Sequence, residues 1–486
     1  MPIETDTKPA QPDGDGLRPT LVLRFRASAG LDFKPRAERE LGRRNIGNWK
    51  RVEEVAPGST LRPSLWEPEI RLDDLKRLIG MALKEDPECE ANELLNYFTL
   101  YCPGDADVPA LLKEFGSWEP DVLEAYVPLR SSDPAVNYTD DPYVASQGYL
   151  DVAPNGVDAY DAWKQPGGDG ASQELVDLEQ GWKLDHEDLA GHFPSPASAL
   201  LFGSNMSASV PHGTKTLGVI CGLDNTVGIV GIAPNAAQVN LVSYSGNPHN
   251  IPKAILIGAI KLLHVPKFPA LRRGGVLVLE VQLENLGGLI TQLPCEADPL
   301  TRLCIRFVTA LGVAVIEAAG NGNGDLDTYV NGAGHAVFNR NKPSFKESGA
   351  IMVASGWFVE APARNPPYAL TRRPGSNNGS RIDCHAWGEM VATTTFEVDP
   401  AGVVTLYTGG YNSTSSATAI VAGAALSVQG MAEAKLGLPF KPGKLREYLS
   451  EASSGGGLSN TPSLNPVADK IGVMPNLKAI RMNHIT

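Results

Sequence analysis

Residues 412–426 read NSTSSATAIVAGAAL, a cluster of hydroxyl side chains that runs directly into a small-residue, apolar segment. The Ala and Gly residues of 417–424 predict a helix that packs closely in a core. A serine in the first turn of such a helix gains from the positive end of the helix dipole. Ser415 is therefore a candidate nucleophile. An ordinary helix N-cap has the same appearance, because Ser and Thr are common caps.

Two further segments carry candidate polar groups. Residues 210–234 (VPHGTKTLGVICGLDNTVGIVGIAP) place His212 at the start of a predicted helix that is followed by a Gly-rich loop. Residues 313–322 (VAVIEAAGNG) predict a buried strand that runs into Asn321. Taken alone, a single His is more often structural, and Asn before Gly is common in turns.

A fourth segment supplies carboxylates. Residues 174–189 (ELVDLEQGWKLDHEDL) predict a strand with Asp177 and Glu179 on one face, since strand side chains alternate. The four segments run in the order acid, His, Asn, Ser. No Gly-x-Ser-x-Gly elbow surrounds Ser415, which disfavours an α/β-hydrolase.

Together these segments resemble the motifs of the subtilases, the subtilisin-like serine peptidases of family S8, from about residue 137 to the C-terminus. The resemblance implies that Ser415 is the nucleophile, His212 the general base and Asn321 the side chain of the oxyanion hole. The family's aspartate is replaced in this chain. Alignment on the following Gly and His puts Glu179 at the third triad position, with Asp177 as the alternative acid.

Three positions depart from the family pattern. Ser413 stands where the family usually has Gly, Lys215 replaces a second His, and Ala419 replaces Pro. None of these changes removes a catalytic group. The sequence therefore predicts a serine endopeptidase and leaves two alternatives: a catalytically inactive subtilase-fold scaffold that binds peptides, and a serine hydrolase of small esters.

The resemblance also implies a structural Ca²⁺ site in the loop after the histidine helix. By position, the ligands would be the side chains of Asp188 and Asn225 and the carbonyl oxygens of Leu223, Val227 and Ile229. Such an all-oxygen set suits a hard cation. A turn stabilised by Asn225 without a metal is the alternative.

The substrate-binding wall of the family commonly contains Ser-Leu-Gly after a buried strand, whereas residues 278–284 of this chain read VLEVQLE. Glu280 and Gln282 are therefore candidates to line the substrate pocket, where a carboxylate would favour a basic or polar residue before the cleaved bond. A surface position of Glu280 is the alternative. By the same resemblance, further substrate-binding candidates are Ala318, Ala319 and Gly320.

Residues 151–486 show alternating strand and helix signals. Strands are predicted at 174–178, 239–242, 276–283, 313–318 and 351–354, and helices at 212–221, 251–263 and 300–311. The alternation predicts an α/β fold, a subtilisin-like parallel sheet with helices on both faces.

Residues 18–130 predict a small α+β domain, ferredoxin-like in its strand and helix order, with an uncertain extra strand at 52–55. This order resembles the subtilase prodomain, which implies an intramolecular inhibitor and chaperone; a permanent partner-binding domain is the alternative. Residues 1–17 are predicted to be a flexible leader, and 131–150 a surface linker.

The composition limits the partners. The chain has 486 residues, 42 basic and 55 acidic, and a formal charge of −13, which disfavours nucleic acid and anionic membranes. No apolar run approaches the ~20 residues of a membrane span, and the first residues lack a secretory signal. We expect a cytoplasmic or unconventionally secreted, bacterial-type protein that acts on protein or peptide substrates.

The six cysteines contain no CxxC pair, which predicts reduced thiols. A local bridge between Cys295 and Cys304 is the alternative.

Overall fold

The computed structural model describes residues 18–66, 72–86, 91–103, 106–127, 136–263, 274–359, 369–452 and 458–485. They form two compact units, one within residues 18–127 and one from residue 136 onward. The predicted leader (1–17), the last residues of the predicted small domain (128–130) and the start of the predicted linker (131–135) lie outside the described residues. The rest of that linker, 136–150, alternates exposed and buried residues, and at its end Tyr149 and Leu150 are fully buried, because their apolar side chains join the core of the large unit.

The small unit alternates strands and helices. Its elements are β1 (Arg18–Phe25), α1 (Glu38–Arg44), α2 (Trp49–Val55), β2 (Thr60–Pro63), α3 (Leu72–Glu85), β3 (Tyr97–Cys102), α4 (Val108–Gly116) and β4 (Val122–Tyr126). The sheet order is β2-β3-β1-β4, and each pairing is antiparallel. This β-α-β-β-α-β framework, with α3 added between β2 and β3, confirms the predicted α+β class.

The extra strand predicted at 52–55 is wrong, because this stretch belongs to helix α2. Trp49 Nε1 donates to Glu53 one turn later at 3.0 Å, and Val52 is the buried residue of the helix. One buried position in seven residues does not give the alternation that a half-buried strand requires.

The large unit has its strands at β5 (Glu174–Glu179), β6 (Leu200–Phe202), β7 (Gln238–Ser243), β8 (Val276–Leu279), β9 (Gln282–Glu284), β10 (Gln292–Pro294), β11 (Ala314–Ala318), β12 (Ile351–Gly356), β13 (Cys384–Trp387), β14 (Val391–Val398), β15 (Val404–Tyr411), β16 (Thr461–Pro462) and β17 (Val473–Met474). Its helices are α5 (Ala159–Ala162), α6 (Pro196–Ala199), α7 (Val210–Cys221), α8 (Ile251–Leu262), α9 (Pro299–Ala310), α10 (Ser413–Leu436), α11 (Pro442–Ser450), α12 (Pro466–Asp469) and α13 (Leu477–His484).

Nine of these strands form one sheet in the order β6-β7-β5-β8-β11-β12-β13-β17-β16, parallel except at the β16 edge. Helix α8 covers one face, where Gly258 lies close against Val176 and Leu277. The neighbouring residues Leu175 and Val276 point to the opposite face and share a core cluster with the apolar residues of α10. The predicted α/β sheet with helices on both faces is confirmed.

Helix α10 contains 24 residues, nearly all of them buried. Within the described part of the chain it is the one helix long and apolar enough to cross a membrane, but 94% of its most apolar window is buried inside the protein. This pattern is typical of the central helix of a folded core.

Cys295 and Cys304 are free thiols, as predicted, and the alternative of a local bridge between them is wrong. The Cys295 Sγ instead donates to Glu317 Oε1 at 3.1 Å.

Candidate active site

Two strand ends meet where the strand order of the large sheet reverses. β5 pairs in parallel with β7 on one side and with β8 on the other. Glu179 is the last residue of β5, and Glu280 follows β8 directly, where its N–H donates to Leu178 O at 3.2 Å. Open α/β sheets bind their ligands at such carboxyl ends. Both carboxylates line a cleft of about 840 Å³.

His212 lies in the first turn of α7 and lines the same cleft. Its Nδ1 makes a short hydrogen bond to Glu179 Oε1, and its ring stands edge-on to Tyr411, with 5.7 Å between the ring centroids. Burial alone would lower the pKa of His212. The charge and hydrogen bond of Glu179 outweigh this effect, so the pKa of His212 is raised.

Asp177, the alternative acid, is held elsewhere. It is fully buried, and its Oδ2 accepts a 2.7 Å hydrogen bond from Trp182 Nε1. Burial, and then the charge of Glu179, raise the pKa of Asp177 well above its usual value. The structure therefore places Glu179, rather than Asp177, against the imidazole of His212.

Ser415 occupies the first turn of α10 and lines the cleft together with His212. Among the described residues, no hydrogen bond of normal geometry joins the two side chains, which is common in free enzymes. Ser413, two residues before Ser415, has φ +73°, a left-handed conformation that favours glycine. This geometry explains why a glycine is usual at that position in the family.

Asn321, which follows β11, is oriented by neighbours on both sides. Its Oδ1 accepts from the N–H and the Oγ of Thr414 at 3.1 and 2.9 Å. Its backbone N–H and its Nδ2 both donate to Gln282 Oε1 at 3.0 Å. Asn321 lines the cleft, and its Nδ2 group carries a second hydrogen besides the one donated to Gln282. The role of Gln282 in holding Asn321 was not predicted from the sequence.

Glu280 is only 6% exposed, so the alternative that Glu280 is a surface carboxylate is wrong. Burial raises its pKa well above the usual value, and the charges of Glu179 and Asp177 raise it further, while the Ser415 hydroxyl has a smaller opposite effect.

The remaining substrate-binding candidates divide between cleft and core. Ala318 lines the cleft, whereas Ala319 is fully buried and donates its N–H to Val353 O at 2.9 Å. Gly320 has φ +87° and turns the chain toward Asn321.

Asp188 lies against the loop after α7 that carries the other predicted Ca²⁺ ligands. Asp188 is fully buried, accepts the Ile229 N–H at 2.9 Å through Oδ2, and receives the Leu223 N–H on its carbonyl oxygen at 2.9 Å. Asn225 Oδ1 accepts the Val227 N–H at 3.1 Å, as in a simple Asx turn. Burial, with a smaller contribution from the charge of Asp141, raises the pKa of Asp188 to about 7.

Asp141 is a member of this group that the sequence reasoning missed. Its Oδ1 accepts the Asn225 N–H at 3.5 Å. Burial, and then nearby acids, raise the pKa of Asp141 to about 6. Within the described ranges, Asp141 Oδ2 and Asp188 Oδ1 are both buried without a hydrogen-bond partner. Two orphaned carboxylate oxygens fit a bound cation. The available signal was the acidic pair at 140–141, inside the predicted linker.

The chain is similar to known subtilisins. It is 26% identical to subtilisin E from Bacillus subtilis strain 168 over 302 residues, which are 60% of this chain and 65% of that protein. It is 26% identical to a subtilisin from Bacillus pumilus over 263 residues, 53% of this chain and 76% of the relative. These sequence relatives confirm the predicted resemblance to subtilases. The chain thus spans just under two thirds of the length of subtilisin E.

No protein-family model matches the chain. Among solved structures, a protease from Pseudoalteromonas arctica PAMC 21717 aligns with 71% of this chain and 98% of its own, at 20% identity and a TM-score of 0.47.

Proposed function

We propose that this protein is a subtilisin-like serine endopeptidase that hydrolyses peptide bonds through an acyl-enzyme. The observation that carries the proposal is the convergence of His212, Ser415 and Asn321 on one cleft, with the Glu179 carboxylate bonded to the imidazole. Sequence similarity to subtilisins over 302 residues supports the same class of reaction.

In the proposed mechanism, Ser415 Oγ attacks the scissile carbonyl while the unprotonated Nε2 of His212 accepts its proton. Glu179 keeps the Nδ1 proton in place and stabilises the imidazolium that forms. The free Nδ2 hydrogen of Asn321 and the backbone N–H of Ser415 would bind the oxyanion. The imidazolium then protonates the leaving amine, and water hydrolyses the acyl-enzyme by the same steps.

We propose that a structural Ca²⁺ ion binds the loop around Asp188, with Asp141 added to the predicted ligands. The buried, unpartnered oxygens of Asp188 and Asp141 support this site. When bound, the ion would neutralise the acidic loop and stabilise the fold; no step of the proposed reaction passes through it.

Two finer proposals concern substrate and regulation. A carboxyl group at Glu280 in the cleft favours a basic or polar residue before the cleaved bond; a peptide panel with a purely bulky apolar preference would contradict this. The β-α-β-β-α-β unit is proposed to act as an intramolecular inhibitor and chaperone. Mass spectrometry that finds cleavage near residue 130 in active preparations would support that role.

The test of the main proposal is labelling with a fluorophosphonate probe followed by peptide mapping by mass spectrometry. We expect an adduct on Ser415 in the wild type and none in Ser415→Ala or His212→Ala. An unlabelled wild type that is folded and freed of residues 1–130 would favour the inactive peptide-binding scaffold. Labelling combined with hydrolysis of small esters but not of peptide amides would favour the esterase alternative.

A further inference from the structure

Three potential metal ligands meet in the cleft. Glu179, His212 and Glu280 each offer one ligand atom, and these atoms all lie within 4.8 Å of one another. They come from the adjacent ends of β5 and β8 and from the first turn of α7, so three rigid elements hold them. Sites built on helices and strands are more precise than sites built on loops.

Glu280 provides an independent indication that the cleft accepts a cation. Its side chain lines the cleft, yet it is only 6% exposed. In the part of the chain that the structure describes, neither of its carboxylate oxygens has a hydrogen bond of normal geometry; the Ser415 hydroxyl is its neighbouring donor. A buried carboxylate without partners is costly, and coordination of a metal is one of the arrangements that offset the cost.

The surrounding side chains are acidic. Asp177, on the same face of β5 as Glu179, adds a third buried carboxyl, and its Oδ1 also lacks a partner among the described residues. The positive charge of Lys215 lowers the pKa of His212 slightly, but Lys215 Nζ donates to Glu397 at 2.7 Å and not to the cluster. The cluster therefore combines three carboxyl groups and one imidazole, and within the described ranges no cationic side chain is bonded to it.

We infer that Glu179, His212 and Glu280 form a binding site for a zinc ion. One imidazole and two carboxylates are a borderline donor set of the kind that Zn²⁺ accepts, whereas Ca²⁺ prefers oxygen ligands alone. Three protein ligands leave a fourth tetrahedral position open to water on the cleft side.

Zinc bound at this site inhibits the proposed peptidase. This regulatory consequence rests on the proposed function. A neutral imidazole has one nitrogen with a free lone pair. A metal bound to either nitrogen of His212 leaves no lone pair to accept the Ser415 proton. The ion also withdraws Glu179 from its role of orienting His212.

Direct binding tests the site independently of catalysis. The full-length Ser415→Ala protein, in excess Ca²⁺ to fill oxygen-ligand sites, is titrated with Zn²⁺ by calorimetry and with Co²⁺ by visible absorption. We expect one ion per chain. A further Glu280→Gln or His212→Ala change should weaken binding by about tenfold or more. Glu284→Gln is the matched control, because Glu284 is an exposed acid that lines the same cleft; it should bind as the parent does.

Labelling of Ser415 tests the regulatory consequence. In the wild type, Zn²⁺ should slow fluorophosphonate labelling, and 1,10-phenanthroline should restore it. The inference is overturned if Zn²⁺ fails to bind or if Glu280→Gln binds as tightly as its parent. If Zn²⁺ binds as expected but Ser415 is never labelled, the proposed peptidase activity is rejected and the metal site is retained. Labelling that is insensitive to Zn²⁺, in a protein that binds no Zn²⁺, would reject the site alone.

Discussion

The Nδ1 of His212 donates to the carboxylate of Glu179, the residue that replaces the family's aspartate. Asp177, on the same strand face, is instead bonded to Trp182. Glu179 is the last residue of β5 and contacts the first turn of α7, whereas Asp177 lies two residues earlier on the strand and is fully buried.

Glu179→Gln should lower the kcat of peptide hydrolysis by about 10² to 10⁴, because the amide can stabilise the wrong tautomer of His212 and cannot balance the imidazolium. Asp177→Asn is the matched control, since Asn can still accept from Trp182, and we expect a loss of less than about tenfold. Steady-state kinetics on one peptide amide measures both variants. The assignment of the acid fails if the two losses are reversed.

Asn321→Ala should reduce kcat by about 10² to 10³ with little change in KM, as expected for a donor that acts on the developing oxyanion. Gln282→Ala removes the acceptor that holds Asn321 and should show a smaller loss, also in kcat. Gln282→Glu retains an acceptor and should recover part of the rate. A Gln282→Ala variant that changes KM alone would show that Gln282 contacts substrate instead of positioning Asn321.

Ser413→Gly should stabilise the fold by about 1 kcal/mol, because it removes the cost of a left-handed conformation at an L-residue. The gain is limited by the larger backbone entropy of Gly in the unfolded chain. Urea unfolding measures the change in the free energy of unfolding, and a Ser415→Ala background prevents self-digestion. Gly410→Ala, at an exposed strand position with space around its Cα, serves as a comparison that relieves no such strain. A loss of stability in Ser413→Gly would contradict the explanation.

His385 in β13 should make stability depend on pH. Burial lowers the pKa of His385 to about 4, whereas an unfolded His titrates near 6.5. Between these values the unfolded chain binds more protons, so stability falls as the pH falls from about 6.5 to about 4. The full effect is ~3 kcal/mol. Urea unfolding at several pH values should show a flatter dependence in His385→Gln than in its parent, and parallel curves would exclude this role.

Removal of Ca²⁺ with EGTA should lower the thermal midpoint of the large unit. An ion present at 100 times its Kd contributes about 2.7 kcal/mol. Asp188→Asn should lower the midpoint and make it insensitive to Ca²⁺, and Asp141→Asn should weaken the Ca²⁺ dependence. Asp185→Asn, an exposed neighbour whose carboxylate pairs with Lys183, is the control. Calorimetric scans at fixed Ca²⁺ that show equal shifts in all variants would argue against the site.

Much of the fold could be predicted because strong periodic signals and burial agree. Residues 251–263 and 300–311 were predicted as helices, and the structure has α8 (Ile251–Leu262) and α9 (Pro299–Ala310). The prediction failed where the pattern was short or polar. The stretch 52–55 is helical, and the strand predicted at 276–283 ends at Leu279, where the chain leaves the sheet for the β9–β10 hairpin.

The sequence by itself determined the class of fold and the candidates Ser415, His212 and Asn321, because four local motifs in this order resemble those of the subtilases, although each motif alone has an ordinary structural explanation. Which of Glu179 and Asp177 contacts His212 depends on the tertiary structure, since both side chains share one strand face and the position of α7 brings the imidazole to Glu179. The contacts of Glu280, Gln282 and Asp141 likewise depend on the tertiary structure. Their partners lie on other elements, and burial and orphaned oxygens arise only when those elements pack together.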